Sequence, residues 1–394
     1  MIEIKDKVLC CGCTACSSVC PKGCIEMVSD CEGFKYPSVN ADLCINCGLC
    51  EKVCPIKKEN PSDELTKSYV ARIKDSDILE KSTSGGAFSA LSKVVFDENG
   101  VVFGGAFDEE FNVIHTYAEK EADGIKFRGS KYVQSDMGEC FSKVREFLDS
   151  GRTVLFSGTP CQTAGLISFL RKPYDNLITV DFVCHAVPSP KVWEKYRDYL
   201  CKKYNSKIKS VNFRSKYYGY HCSSMKVDLE NGKSEANGIS TDLLMKSFFQ
   251  NVCCRPSCYQ CAFKTVERYA DITVFDCWNI SRYCPDKKDD DRGYSAVIVH
   301  NRRADEFFKR AAVQLEFYQA DTDILISTDG TYAVKSIDSN PKREEYFRLL
   351  NTDMPLDKVV DKTIPIKTSN KIINKLKGFL YRTHILQILE KIKK

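Results

Sequence analysis

Eight cysteines near the amino end fall into two runs of identical spacing, and that repeat constrains the chain more than any other feature. Cys10, Cys13, Cys16 and Cys20 recur 34 residues later as Cys44, Cys47, Cys50 and Cys54, each run reading C-x-x-C-x-x-C-x-x-x-C-P and ending at Pro21 or Pro55. So short a segment has little room for an apolar core, so whatever the thiols bind must hold it together. Three thiolates from one tight loop suit three corners of a 4Fe–4S cube, and the proline turns the fourth toward the opposite loop. The spacing therefore predicts one cluster on Cys10, Cys13, Cys16 and Cys54 and a second on Cys44, Cys47, Cys50 and Cys20. Paired zinc sites would need four sulfurs each and no proline rule. Cys11, Cys24 and Cys31 lie outside the register and read as small buried or loop residues.

This is the pattern of bacterial two-cluster ferredoxins. The chain carries 22 cysteines. Its start, "MIEIKDKVLCCGC", has neither an apolar core nor a small-residue cleavage site, so a cytoplasmic location is expected. In that reducing compartment the thiols read as metal ligands and not as a disulfide framework. Charge is uneven: residues 362–394 hold nine Lys or Arg against one Glu, and the net charge of +5 leaves the remainder negative. The body is thus not a basic nucleic-acid binder.

After "IKKENPSDELTK", which reads as a linker, strands and helices interleave. "SYVARI", "VVFGGAF", "FNVIHTYA", "TVLFSG", "LITVDFVC", "SVNFRS", "DITVF" and "SAVIVH" read as strands. "MGECFSKVREFL" and the segments 84–96, 162–170 and 190–204 read as helices. The fold class is α+β or α/β: a two-cluster domain over residues 1–60, then a larger domain with a mixed central sheet. The larger domain divides into residues 67–150 and 151–340, followed by a basic helical tail, 341–394. Cys161 and Cys184 stand at turns after strands, where such folds place ligands. With the Cys258/Cys261 pair of "CRPSCYQCAF" they supply four thiolates, although spacing alone admits other partners.

Six motifs in order carry a resemblance over about residues 67–303: "STSGGAFSAL", "FRGSKYVQSDMG", "VLFSGTPCQTAGL", "YDNLITVDFVCHAVPSPKVWEKY", "RPSCYQCAF" and "ADITVFDCW". This region resembles the family of beta subunits of coenzyme F420 hydrogenases and dehydrogenases. The resemblance implies FAD and a third 4Fe–4S cluster, whose cysteines fall on Cys161, Cys184, Cys258 and Cys261. Ala186, Cys277 and Asn279 depart from the family pattern, but the four thiolates do not. Flavin contacts are expected from Ser84, Gly85 and Gly86 at a helix start, from Ser130, Lys131 and Tyr132, and from Gly158 and Thr159. Lys131 is the residue expected to balance a flavin's negative charge. No G-x-G-x-x-G is present, so a standard dinucleotide fold is not expected. His185, Cys253, Cys254, Cys277 and Cys284 read as structural.

The expected activity is that of an iron–sulfur flavoprotein oxidoreductase. It passes electrons between ferredoxin-type clusters and FAD, and on to coenzyme F420 or another reducible small molecule. The resemblance to single-chain bacterial relatives adds a link to cell-surface polysaccharide synthesis. The competing expectation is a non-catalytic electron-transfer subunit or partner-binding protein. Expected partners are a redox protein or reduced ferredoxin and a small two-electron substrate, with no nucleic acid. Ile372, Ile373, Leu376, Phe379 and Leu380 share one helical face beside Lys371, Lys375 and Arg382, which predicts either peripheral membrane contact or packing on the body.

Overall fold

The computed structural model describes residues 1–58, 65–383 and 385. Residues 59–64 of the expected linker, and residues 384 and 386–394 of the basic tail, lie outside the described residues. Each cysteine loop runs into a one-turn helix, Ala15–Ser18 and Leu49–Lys52, entered through a left-handed residue, Thr14 (φ 69°) or Gly48 (φ 72°). Between them β1 (Ile25–Ser29) pairs antiparallel with β2 (Lys35–Val39).

The body is built on eight strands. They are β3 (Lys67–Ile73), β4 (Val101–Phe107), β5 (Val113–Ala118), β6 (Val154–Ser157), β7 (Leu177–Phe182), β11 (Ile272–Cys277), β12 (Tyr294–Val299) and β13 (Leu315–Ala320). Their order is β13-β3-β12-β11-β7-β6-β4-β5. The central run β11-β7-β6-β4 is parallel and the flanks are antiparallel. All of β12 and most of β6 and β7 are buried, as strands covered on both faces must be. Helices Ala87–Asp97 and Arg302–Ala312 cover one face, and Cys140–Asp149 and Pro160–Leu170 the other. A second sheet, β8 (Ile208–Ser215), β9 (Ser224–Leu229) and β10 (Ser234–Gly238), packs with helices Pro190–Tyr204, Arg343–Leu350 and Leu356–Thr363 in a core of its own. The mixed-sheet α/β architecture is the one expected. β9, β10 and β13 are strands that the sequence pattern does not announce.

The amino-terminal segment is pressed onto the body. Glu32 pairs with Arg343, Lys35 with Asp136 at 2.6 Å, and Ser189 donates to the Glu32 carbonyl. A Cβ on Gly33 (φ 85°) would lie 2.6 Å from the Lys191 Cβ. In helix Pro160–Leu170, a Cβ on Gly165 would lie 2.7 Å from the Cβ of Cys13 and 2.9 Å from its Sγ. Gly165→Ala is therefore expected to destabilise the fold. Overpacking costs about 1–3 kcal/mol, and alanine's helix preference, about 1 kcal/mol, offsets only part of it. Chemical denaturation checks this; a variant as stable as the parent means that the contact is loose.

Candidate functional site

The thiols gather around three cavities. Cys10, Cys13, Cys16 and Cys54 line the first, walled by Ile2, Ile4 and Met27. Cys20, Cys44, Cys47 and Cys50 line the second. The first is the more deeply placed: Cys13 and Cys16 are buried, whereas Cys47 is exposed. Burial raises the Cys16 thiol to about 12 and also raises Cys54. Such thiols remain protonated until a metal takes the proton's place. Among the described residues no three His, Cys, Asp or Glu side chains are placed to hold one single ion.

Cys161, Cys184, Cys258 and Cys261 line the third cavity, of about 140 Å³. Cys161 enters helix Pro160–Leu170 directly after β6, and Cys184 follows β7, so neighbouring parallel strands present both at their carboxyl ends. Thr159 caps that helix in a reciprocal box with Gln162, and its Oγ1 lies 3.1 Å from the Cys161 Sγ. Cys258 lies within the short turn Pro256–Gln260 and Cys261 just after it. The Cys258 N–H donates to the Arg255 carbonyl at 3.0 Å and the Cys261 N–H to Ser336 Oγ at 3.1 Å. Burial raises Cys184, against the pull of the Lys264 ammonium, and raises Cys258 to about 12. Lys264, Arg268 and Arg255 bring positive charge to the wall, which favours thiolate and cluster anions.

Two residues that the sequence alone does not single out join the first and third cavities. Cys11 lines both, and its sulfur sits beside Cys13 and Cys161. Arg255 lines the third cavity and reaches Cys10 in the first. The crowded "CCGC" run is the one sequence signal that points to Cys11. Cys24, also outside the register, lies with its sulfur 3.3 Å from that of Cys20 in the second cavity. Cys253 and Cys254 are buried in the core with Tyr346, and Cys277 and Cys284 pack around Ile280. His185 sits on the third cavity's wall, its Nε2 2.9 Å from Asn251 Oδ1.

The residues expected at a flavin fall into separate groups. Gly85 is set against the sheet: a Cβ there would lie 2.4 Å from the Ala71 carbonyl and the Ser295 nitrogen. Its N–H donates to Ser295 Oγ, which also meets Ser84 Oγ, and a Cβ on Gly86 would strike Ile73. These glycines let the helix start pack closely on β3 and β12. Lys131 donates to the carbonyls of Lys126 and Arg128, and burial lowers it to about 7. Gly158 and Thr159 lie at the third cavity's helix start, Gly158 against Phe156 and Gln162. Ser130 and Tyr132 lie elsewhere, and the Ser130 N–H donates to Thr83 Oγ1 at 3.0 Å. Tyr132 packs on Phe213 and Phe248, and beside it is Arg214, buried, paired with Asp276, with its Nη2 lacking a hydrogen-bond partner among the described residues. A buried, unanswered guanidinium nitrogen is a place for a ligand oxygen.

A paired cysteine-loop segment fixed to a mixed sheet with further cavity-lining thiols defines an iron–sulfur electron-transfer protein. Residues 151–323 match the family model for the carboxyl terminus of the coenzyme F420 hydrogenase/dehydrogenase beta subunit, and residues 9–58 match the 4Fe-4S dicluster domain. The chain thus carries the carboxyl-terminal domain of that beta-subunit family and, ahead of it, a 4Fe-4S ferredoxin domain. It is 24% identical over 342 residues to an uncharacterised protein of Methanocaldococcus jannaschii, covering 78% of this chain and 88% of that one. It is 25% identical over 176 residues to one of the subunits of the F420H2 dehydrogenase of Methanosarcina mazei, covering 41% of this chain and 48% of the relative. The amino-terminal part is 38% identical over 64 residues to a 7Fe ferredoxin of Hydrogenibacillus schlegelii, covering 16% of this chain and 76% of the ferredoxin. A chain of the F420-reducing NiFe hydrogenase complex from Methanosarcina barkeri aligns over 79% of this chain and 97% of its own, with 19% identity and a TM-score of 0.46.

Proposed function

We propose that the chain carries single electrons through three 4Fe–4S clusters to a two-electron partner. The surface set, Cys20, Cys44, Cys47 and Cys50, would receive them; Cys10, Cys13, Cys16 and Cys54 would hold the middle cluster, and Cys161, Cys184, Cys258 and Cys261 the third. The observation that carries this reading is the common wall: Cys11, Leu9 and Ile56 line both the first and the third cavities. The chain's own residues do the rest. They bury Cys13 and Cys16 of the middle set, supply cationic wall residues to the third, and hold the two parts in fixed register through Glu32, Lys35 and Gly165.

The terminal partner is coenzyme F420 or another small reducible molecule, as the relatives' names suggest. FAD, when bound, exchanges electrons singly on one side and in pairs on the other. Ser130, Tyr132 and Arg214 are the residues that fit it. Iron, acid-labile sulfide and acid-released flavin in anaerobically purified protein test the reading. About twelve irons, about twelve sulfides and one flavin are expected. About eight irons and no flavin would leave a non-catalytic electron carrier.

The proposal extends to location. Among the described residues no helix is long and apolar enough to cross a membrane. Helix Thr368–Arg382 instead turns polar groups inward: Asn374 bonds Asn237 and Thr241, and Lys377 bonds the Cys222 carbonyl and Ser224 Oγ. Ile372, Leu376 and Phe379, four and three residues apart, face outward at 54, 50 and 65% exposure. Lys371 and Lys375 flank them and the helix contains no acid. This face suits an anionic membrane surface, where each basic residue adds about 1 kcal/mol of attraction. Salt-sensitive co-sedimentation with phosphatidylserine vesicles is expected, and the triple change Ile372→Ser, Leu376→Ser, Phe379→Ser should abolish it. Protein that stays in the supernatant at low salt rules the membrane out.

A further inference from the structure

We propose that Arg255 is a positioning residue whose guanidinium serves as the shared buried countercharge of the middle and third clusters. The inference rests on the three-cluster reading above. Arg255 is 0% exposed, yet among the described residues no carboxylate pairs with it. Glu32 is taken by Arg343 and Asp30 by Lys7. Each group that the guanidinium meets is neutral or a cysteine. Nε donates to the Cys10 carbonyl at 2.8 Å, Nη1 to Gln134 Oε1 at 2.9 Å, and Nη2 to the Lys35 carbonyl at 3.0 Å and the Cys10 Sγ at 3.6 Å.

A buried cation without an anion is costly, and such charges persist only when paired. The thiolates answer the charge. On one side lies Cys10. On the other, Arg255 lines the Cys161–Cys184–Cys258–Cys261 cavity, and its own carbonyl accepts from the Cys258 N–H. The fold goes to some length to keep the group there. The guanidinium stacks 4.3 Å from the Tyr36 ring centroid, and Gly12 (φ 70°) leaves room where a Cβ would sit 2.8 Å from Nη1. A positive charge at the joint, with an N–H aimed at a ligating sulfur, favours the reduced form of each cluster.

The test is a redox titration of the full-length, iron-loaded protein, following each reduced cluster by electron paramagnetic resonance, with iron counted on every sample. Arg255→Gln is expected to keep its iron and to disfavour reduction of both the middle and the third cluster about tenfold, about 59 mV for a one-electron couple. The surface cluster, remote from Arg255, is expected not to move. Arg255→Lys keeps the charge but not the fork, so the third cluster is expected to hold its potential while the middle one falls. That variant decides the matter if Arg255→Gln does not load iron. Unchanged potentials in a loaded variant overturn the proposal, and so does an equal shift of all three clusters. The unsubstituted protein's iron count reads the underlying assignment separately: about eight irons would remove the third cluster whatever Arg255 does.

Discussion

Anaerobically prepared Cys258→Ser protein is expected to hold about eight irons where about twelve are expected of the unsubstituted protein, with the ferredoxin domain's signals intact. The loss is confined because the four thiols of the third cavity come from the body alone, from the ends of β6 and β7 and from the turn after Arg255. Serine is a poor substitute at a buried soft-metal corner, where thiolate is the preferred ligand. The fold is expected to survive. Cys258 packs at the margin of a large apolar cluster that includes Trp193 and Phe248, and its removal leaves that core standing. Iron and sulfide analysis beside circular dichroism checks both halves. A variant that keeps all its iron would move the ligand to another cysteine, and Cys11 also lines that cavity.

Breaking the middle set has the larger kinetic consequence. Cys16→Ser should slow reduction of the third cluster by a protein donor by more than about 10-fold, since even outer-shell changes at metal sites cost about 10–100-fold. Cys16 is buried, and its cavity is the one that adjoins the third. Cys47→Ser removes an exposed sulfur from the surface set, so it should impair electron entry while leaving the third cluster and any bound flavin in place. Stopped-flow reduction by a protein donor, with dithionite as a control that reaches every cluster, separates the two. Equal rates for Cys16→Ser and the parent would mean that electrons bypass the middle set.

The two cysteine runs were legible because cluster loops are local: ligands three residues apart declare themselves in the chain. Inner strands of the large sheet were legible for a similar reason, since "TVLFSG" in the parallel run and "SAVIVH" beside it are covered on both faces and read as unbroken apolar runs. Cys161, Cys184 and Cys258 are separated by 23 and 74 residues, and no local pattern joins them; the family motifs did. Gly85 is ambiguous in the opposite way. Glycine marks close approach by any neighbour, and here the neighbour is the protein's own β3 and β12. Arg255 opens the motif "RPSCYQCAF", but nothing in that motif assigns the arginine a role. A single arginine beside a cysteine looks like surface until Tyr36, Gln134 and Cys10 close over it.

The hairpin tip on Lys191, the Glu32–Arg343 pair and the contact of Gly165 with Cys13 have a kinetic meaning. A ferredoxin that diffuses to its client delivers electrons at a rate set by encounter, hence by concentration, ionic strength and viscosity. Here the carrier arrives already seated. On the proposed route, transfer from the middle set to the body would be a first-order event, indifferent to dilution and to added glycerol, with the exposed set around Cys47 left to answer to collision.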